Sequence, residues 1–266
     1  MSEVENRLNQ FPFHDRINIV TVDQSFVWLA AGWQDLIAAA RVSLAYGLFF
    51  SLAGFILTIG LFVSGMDYLI VPMVEGFFLI GPALTIGFHS ISRDLQNDRQ
   101  PTFLRAIAAW RANPIYLIVM GLALVLFLII WARTAVILFA IWFPYTSLDL
   151  QSMVNAIFFT LEGYLFLAVG TGFGAVFAAI IFVTGSLSLP MMLDKKTDLM
   201  RAVIISCIAV MVNIRTMLFW AAIIVVVIGA GLASAYIGLI VALPLVGHAS
   251  WHAYQAIIKD PPEEHS

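Results

Sequence analysis

The chain has 266 residues, 62% of them hydrophobic and 11% charged, with a mean hydropathy of +0.97 and a formal net charge of −3. Soluble domains carry about a quarter charged and about 45–50% apolar residues, so this composition excludes an ordinary soluble globule and makes lipid part of the solvent. The small net charge gives no footprint for nucleic acid, and the single cysteine, Cys207, excludes an internal disulfide and a cysteine-based metal cage.

Residues 1–23 form a polar tail with no apolar region of signal-peptide type, so the first membrane helices are expected to insert directly. Next, Phe26, Leu29, Trp33, Leu36, Ile37 and Ala40 recur at helical spacing and predict an amphipathic helix with one apolar face. The stretch from Val42 to Ser92 is too long for one crossing and reverses at Ser64-Gly65-Met66-Asp67, giving spanning helices one and two. Pro101-Thr102 opens a second amphipathic segment carrying Phe103, Ile107 and Trp110, and Asn113 precedes helix three, which starts near Pro114. Residues 134–155 are too short in apolar length for another crossing and read as an extension of helix three, or as an interfacial or re-entrant piece, on the outer side. Helix four runs from about Gly163 to Pro190. Thr197 and Asp198 open a third amphipathic helix reaching about Val212, after which Asn213 marks re-entry. From Thr216 to Ile258 there is no Lys, Arg, Asp or Glu. One helix of that length would reach roughly 65 Å, about twice the hydrocarbon thickness. It must fold back, near Gly229 to Ser234, as helices five and six. A polar tail, 259–266, closes the chain.

The expected fold is therefore all-α and membrane-embedded: six transmembrane helices as three hairpins, each preceded by a cytoplasmic amphipathic helix. The membrane domain spans 24–258 as a threefold internal repeat, with units at about 24–95, 101–194 and 197–258. Twelve of the thirteen basic residues fall on one side of this arrangement, with Arg133 alone opposite. The positive-inside rule makes that side the cytoplasm and puts both termini there.

Few residues carry chemistry. His248 and His252 stand four apart on one helical face, and His89 ends helix two at comparable depth, so the three are candidate ligands for a metal or haem iron. The alternative is a polar belt beside Trp251 and Tyr254. Arg133, with Glu75 or Glu162 as partner, is a candidate ion pair pinning the outer helix ends, against a proton or substrate role. Pro82, Pro190 and Pro244 each lie near the cytoplasmic end of a returning helix and predict kinks, as packing devices or as the lining of a cavity. Gly170 and Gly174 have the small-xxx-small spacing of close helix contact, within the chain or with a partner. No P-loop, HExxH, GxSxG or dinucleotide turn is present, so no enzyme and no cofactor is expected.

Three segments, FVWLAAGWQDLIAAARVSLAYGL, SLPMMLDKKTDLMRAV and LPLVGHASWHAYQAII, resemble an uncharacterised family of bacterial multi-pass membrane proteins, a domain of unknown function. The resemblance runs from about Ser25 to Ile258, with GHASWHAY its most specific part. Members are often labelled as similar to cytochrome c oxidase subunit I, and no catalytic residues carry over from the family. A catalytic oxidase subunit of that kind has more helices and more histidines than the five here, of which His14 and His265 lie in the tails. The expected function is accordingly a non-enzymatic accessory, scaffold or assembly component of a membrane complex, with respiratory complexes among the candidates. The alternatives are a small-solute or lipid transporter or channel, and a haem- or metal-binding redox subunit. The bilayer and a membrane-protein partner are the expected contacts.

Overall fold

A backbone surrounded by hydrocarbon has no water to bond, so its amides and carbonyls must be satisfied within the segment, and long apolar runs fold as helices. The computed structural model describes residues 12–147, 149–195 and 197–259. Arg7, Lys196, His265 and the distal parts of both predicted tails lie outside the described residues.

Helix α1 (Gln24–Ala38) is followed directly by α2 (Ala40–Val63), with Ala39 at the junction. The chain reverses at Ser64-Gly65, where Gly65 takes φ +67°, a conformation a side chain would strain. It then returns through α3 (Ile70–Leu84) and α4 (Ile86–Gln96), which meet at Thr85. The short α5 (Phe103–Ile107) and a 3-10 segment to Ala112 lead to α6 (Pro114–Trp142), whose first residue is a proline that needs no amide partner there. In the segment at 134–155, α6 continues to Trp142, as the extension reading expects, and a separate short helix α7 (Leu150–Phe158) follows. Helices α8 (Leu161–Gly185), α9 (Ser188–Lys195), α10 (Leu199–Val212), α11 (Ile214–Ala233) and α12 (Leu239–Ile257) complete the chain.

Among the described residues five helical stretches are long and apolar enough to cross a membrane: 40–63, 67–96, 114–142, 161–195 and 214–233. The expected sixth, α12, is a 19-residue helix, but its polar C-terminal half keeps it out of that set. The reversal before it lies at 234–238, at the far edge of the expected Gly229 to Ser234. Ala235 and Tyr236 both take positive φ there. The turn is braced instead of glycine-relieved: Ser51 donates to the Tyr236 carbonyl at 2.7 Å, and the Tyr236 and Thr58 hydroxyls bond at 2.7 Å.

The prolines act differently from one another. Pro82 and Pro190 lie beside short interruptions, at Thr85 and at 186–187, within the stretches 67–96 and 161–195, and α4 and α9 are the arms that follow them. Helix α12 runs unbroken through Pro244. A proline at 244 removes the amide that would bond the Ile240 carbonyl. That oxygen faces Gly47 of α2, where a Cβ would sit only 2.6 Å from it. Close helix contact at glycine absorbs the disturbance.

The inward face of α1 also departs from expectation. Ser25, Trp28, Gly32 and Leu36 are buried, whereas Phe26, Trp33 and Ile37 of the predicted apolar face are 47–59% exposed. Leu36 of the predicted face is buried as expected, but the seam with α12 runs through Trp28 and Gly32, where the glycine lets the two backbones approach closely.

The arms α4, α9 and the C-terminal part of α12 pack against one another at one end of the bundle. Each also packs on an amphipathic element: α4 on α5, α9 on α10, and α12 on α1. The chain ends close this arrangement. Ile17 and Ile258 form an antiparallel bridge, with Asn18 N donating to Ile257 O at 2.8 Å and Lys259 N to Arg16 O at 2.9 Å. The Asn113 side chain donates to the Thr197 carbonyl at 2.9 Å, just before α10. Asn213 accepts from Val20 N at 2.8 Å and donates to Asn18 O at 3.0 Å, just before α1.

Candidate functional site

The most developed polar constellation lies where α12 meets α1, α2 and α4. Small residues make room for it. A Cβ on Gly32 of α1 would fall 2.6 Å from the Ala249 amide nitrogen, and one on Gly247 would fall 2.6 Å from the Phe88 ring. His248 therefore enters a fully buried position, with Phe88 edge-on at 5.4 Å between ring centroids.

Both nitrogens of His248 are engaged. Nε2 lies 2.9 Å from Ser43 Oγ on α2, and Nδ1 lies 2.8 Å from Ser92 Oγ on α4. The Ser92 hydroxyl donates to Asp35 Oδ2 of α1 at 2.6 Å. A hydroxyl has one proton to give, so Ser92 must accept from His248, which puts a proton on Nδ1. In the neutral ring Nε2 then accepts from Ser43. His252, one turn on, brings Nε2 to 2.9 Å from the same Asp35 oxygen. A directed chain results, Ser43 to His248 to Ser92 to Asp35, with His252 donating from the other side.

Asp35 lies on α1, outside the five membrane-length stretches. Burial raises its pKa, but the hydrogen bonds from His252 and Ser92 outweigh it and hold the carboxyl below its ordinary value. It stays ionised at neutral pH and anchors the chain's acidic end. Around it, Trp251 donates to Gln96 at 3.0 Å, Gln96 and Gln255 bond through their amides at 2.7 Å, and the Tyr254 hydroxyl donates to Asp194 at 2.9 Å. Asp94 pairs with Arg105 at 3.1 Å, joining α4 to α5.

The three histidines come to one end of the bundle as the sequence suggested, but with separate roles. His248 spends both nitrogens on serines and His252 faces a carboxylate. His89 is 1% exposed, packs beside Trp251, and has no hydrogen-bond partner on either nitrogen among the described residues. Among the described residues no three His, Cys, Asp or Glu side chains are grouped to hold a metal ion. A buried polar group without a partner costs about 1–3 kcal/mol. His89→Leu is accordingly expected to leave stability unchanged or raise it by about 1 kcal/mol, read by chemical unfolding in detergent. A marked loss would show that the imidazole nitrogens are used.

The Arg133 pair does not form among the described residues. Trp131 turns inward, its indole donating to the Pro72 carbonyl at 3.1 Å. Arg133, two residues further, is rotated about 200° from it and is exposed, as are Glu75 and Glu162. A Cβ on Gly174 would touch Trp131 at 3.3 Å, whereas one on Gly170 would meet nothing within 4 Å.

Residues 70–194 match a family model described as a predicted integral membrane protein (DUF2189). The match is to an uncharacterised multi-pass membrane family. It covers a little under half of the chain, and its description says nothing of an oxidase. No curated protein and no solved structure matches the chain. His89 and Ser92 fall inside the matched region, while Asp35, Ser43, His248 and His252 fall outside it. Sequence reasoning does not single out Asp35, Ser43 or Ser92. The available signal is weak: Ser43 is a hydroxyl in an otherwise apolar run, and its partner is 205 positions away.

Proposed function

We propose that this chain is a non-enzymatic integral membrane protein with six crossings and both chain ends in the cytoplasm, serving as an accessory or scaffold component beside a larger membrane complex. Parity supports the sixth crossing. Residues 16–18 pair with 257–259, so the two ends lie on one side, and five crossings in between would leave them on opposite sides. Helix α12 supplies the even count. The basic residues around that end, Arg41, Arg93, Arg105, Arg111, Lys195 and Arg215 among them, make it the cytoplasmic side by the positive-inside rule.

The threefold reading draws support from the ring of contacts. Each returning arm packs on the amphipathic element of the next unit, the last closing on the first. The asparagines at two of the three junctions bind the chain just before the next unit's amphipathic helix. Ala39 stands at the third junction and has no side chain to do so.

One observation carries the accessory role. Helix α8 is the least covered of the five membrane-length stretches, and Ala168, Gly172, Ala175 and Ala179 form an exposed ridge of small residues along it. A Cβ on Gly172 would have no neighbour within 4 Å. In lipid, small residues at this spacing let another helix's backbone approach closely, and association gains van der Waals contact. The test is photo-crosslinking from position 172 in native membranes, with the partner identified by mass spectrometry. Ala175→Leu is expected to reduce partner crosslinking at least about tenfold, equivalent to about 1.4 kcal/mol, while changing stability by less than about 0.5 kcal/mol. Crosslinks only to lipid or to a second copy would remove the accessory reading and move the weight to transport.

A further inference from the structure

A cleft of about 420 Å³ lies between α9, α10 and the paired chain ends, and its lining shares no residue with the His248 chain. Four cationic side chains line it: Arg16, Lys195, Arg201 and Lys259. Their convergence is imposed by the backbone. Arg16 and Lys259 flank the isolated bridge between Ile17 and Ile258 and are joined by the bond from Lys259 N to Arg16 O. Arg201 lies in the first turn of α10 with its guanidinium 5.0 Å over the Phe13 ring. Among the described residues Arg16, Arg201 and Lys259 form no ion pair, and Lys195 pairs with Asp194 at 3.3 Å. The carboxylate in the lining, Asp198, accepts from Arg201 N at 2.9 Å and so caps its own helix. Beneath the cations the floor is apolar, formed by Met191, Ile205 and Ile258. Like charges brought together repel unless a counter-charge joins them. A cationic rim over an apolar floor at a membrane edge is the chemistry that receives a phosphate attached to a greasy or neutral body.

We propose that this cleft binds a phosphate group, carried by an anionic phospholipid headgroup or by a soluble phosphate compound. The proposal is independent of the accessory role. The full chain is reconstituted in nanodiscs of phosphatidylcholine alone, of phosphatidylcholine with about one fifth phosphatidylglycerol, and of phosphatidylcholine with millimolar inorganic phosphate, and its thermal unfolding is followed. Binding to the folded state is expected to raise Tm by a few degrees in at least one arm. A rise with phosphatidylglycerol alone makes the ligand a lipid, and a rise with inorganic phosphate makes it soluble. The double variant R201E/K259E should lose that rise, R201K/K259R should keep it, and R99E/R111E, with charges reversed elsewhere on the same side, should keep most of it. K259Q alone gives a partial loss if the double reversal fails to fold. No shift in either arm for the unmodified chain overturns the proposal. So does equal loss in R99E/R111E, which would make the effect one of general surface charge.

Discussion

Replacing Gly32 by leucine is expected to destabilise the protein by at least about 3 kcal/mol, at the upper end of what overpacking costs. The neighbours at this point are backbone atoms. A Cβ on residue 32 would lie 2.6 Å from Ala249 N and 2.8 Å from its Cα, and neither can swing aside as a side-chain tip would. Relief requires α1 to move away from α12, and that contact is the most extensive between any two helices among the described residues. The movement would also pull Asp35 from Ser92 and His252, since both bonds cross the same seam. Gly32→Ala meets the same backbone with one methyl and should cost roughly half as much. Gly60 of α2 supplies the contrast. Nothing lies within 4 Å of its Cβ position, so Gly60→Ala should be neutral or stabilise by up to about 1 kcal/mol. Unfolding in mixed micelles measures all three. A tolerated leucine at 32 would mean that α1 is not docked on α12 in the membrane.

The second large effect is expected at His248. Substitution by leucine removes the partner of two buried hydroxyls at once, since Ser43 and Ser92 are fully buried and bond to opposite sides of the ring. The Ser43 proton is then left without an acceptor, while Ser92 keeps Asp35. The expected cost is roughly 2–4 kcal/mol. Adding Ser43→Ala to His248→Leu should recover about 1 kcal/mol, because the orphaned donor goes with it. Simple additivity of the two losses would show that they are not coupled. The chain's acid end gives a pH signature. Asp35 has its pKa lowered by folding, so its contribution is fully present above the ordinary aspartate value and is lost as pH falls through the lower, folded value. In Asp35→Asn that acid-limb loss of stability should disappear, with titration of unfolding between neutral and strongly acidic pH as the measurement.

The site shows why its parts differ in legibility. His248 and His252 can be paired from their spacing alone, because two positions four apart on a helix share a face whatever surrounds them. His89 can be put at the same depth by counting along its helix. Whether any of them binds something cannot be read, because that depends on what else occupies the pocket. Ser43 and Ser92 reach His248 across 205 and 156 positions of chain, and no local pattern announces such a meeting. Arg133 illustrates the same limit. Its depth is legible, but the inward turn of Trp131 decides which way it faces.

What the sequence determined by itself is set by the bilayer's thickness and its hydrogen-bonding poverty. The absence of charge from Thr216 to Ile258 forced a reversal, Gly65 marked another, and Pro114 after Asn113 opened α6, because a helix in lipid has few ways to begin, turn or end. The tertiary structure alone decided which faces meet. In water the apolar stripe of Phe26, Trp33 and Ile37 would have been driven inward. Here those residues stay exposed, and α1 buries Trp28, Gly32 and Leu36 along its seam with α12. Both faces of α1 carry apolar side chains, so hydrophobicity by itself does not say which one turns inward. Close packing at glycine and hydrogen bonds between distant helices make that choice, and both exist only once the helices have come together.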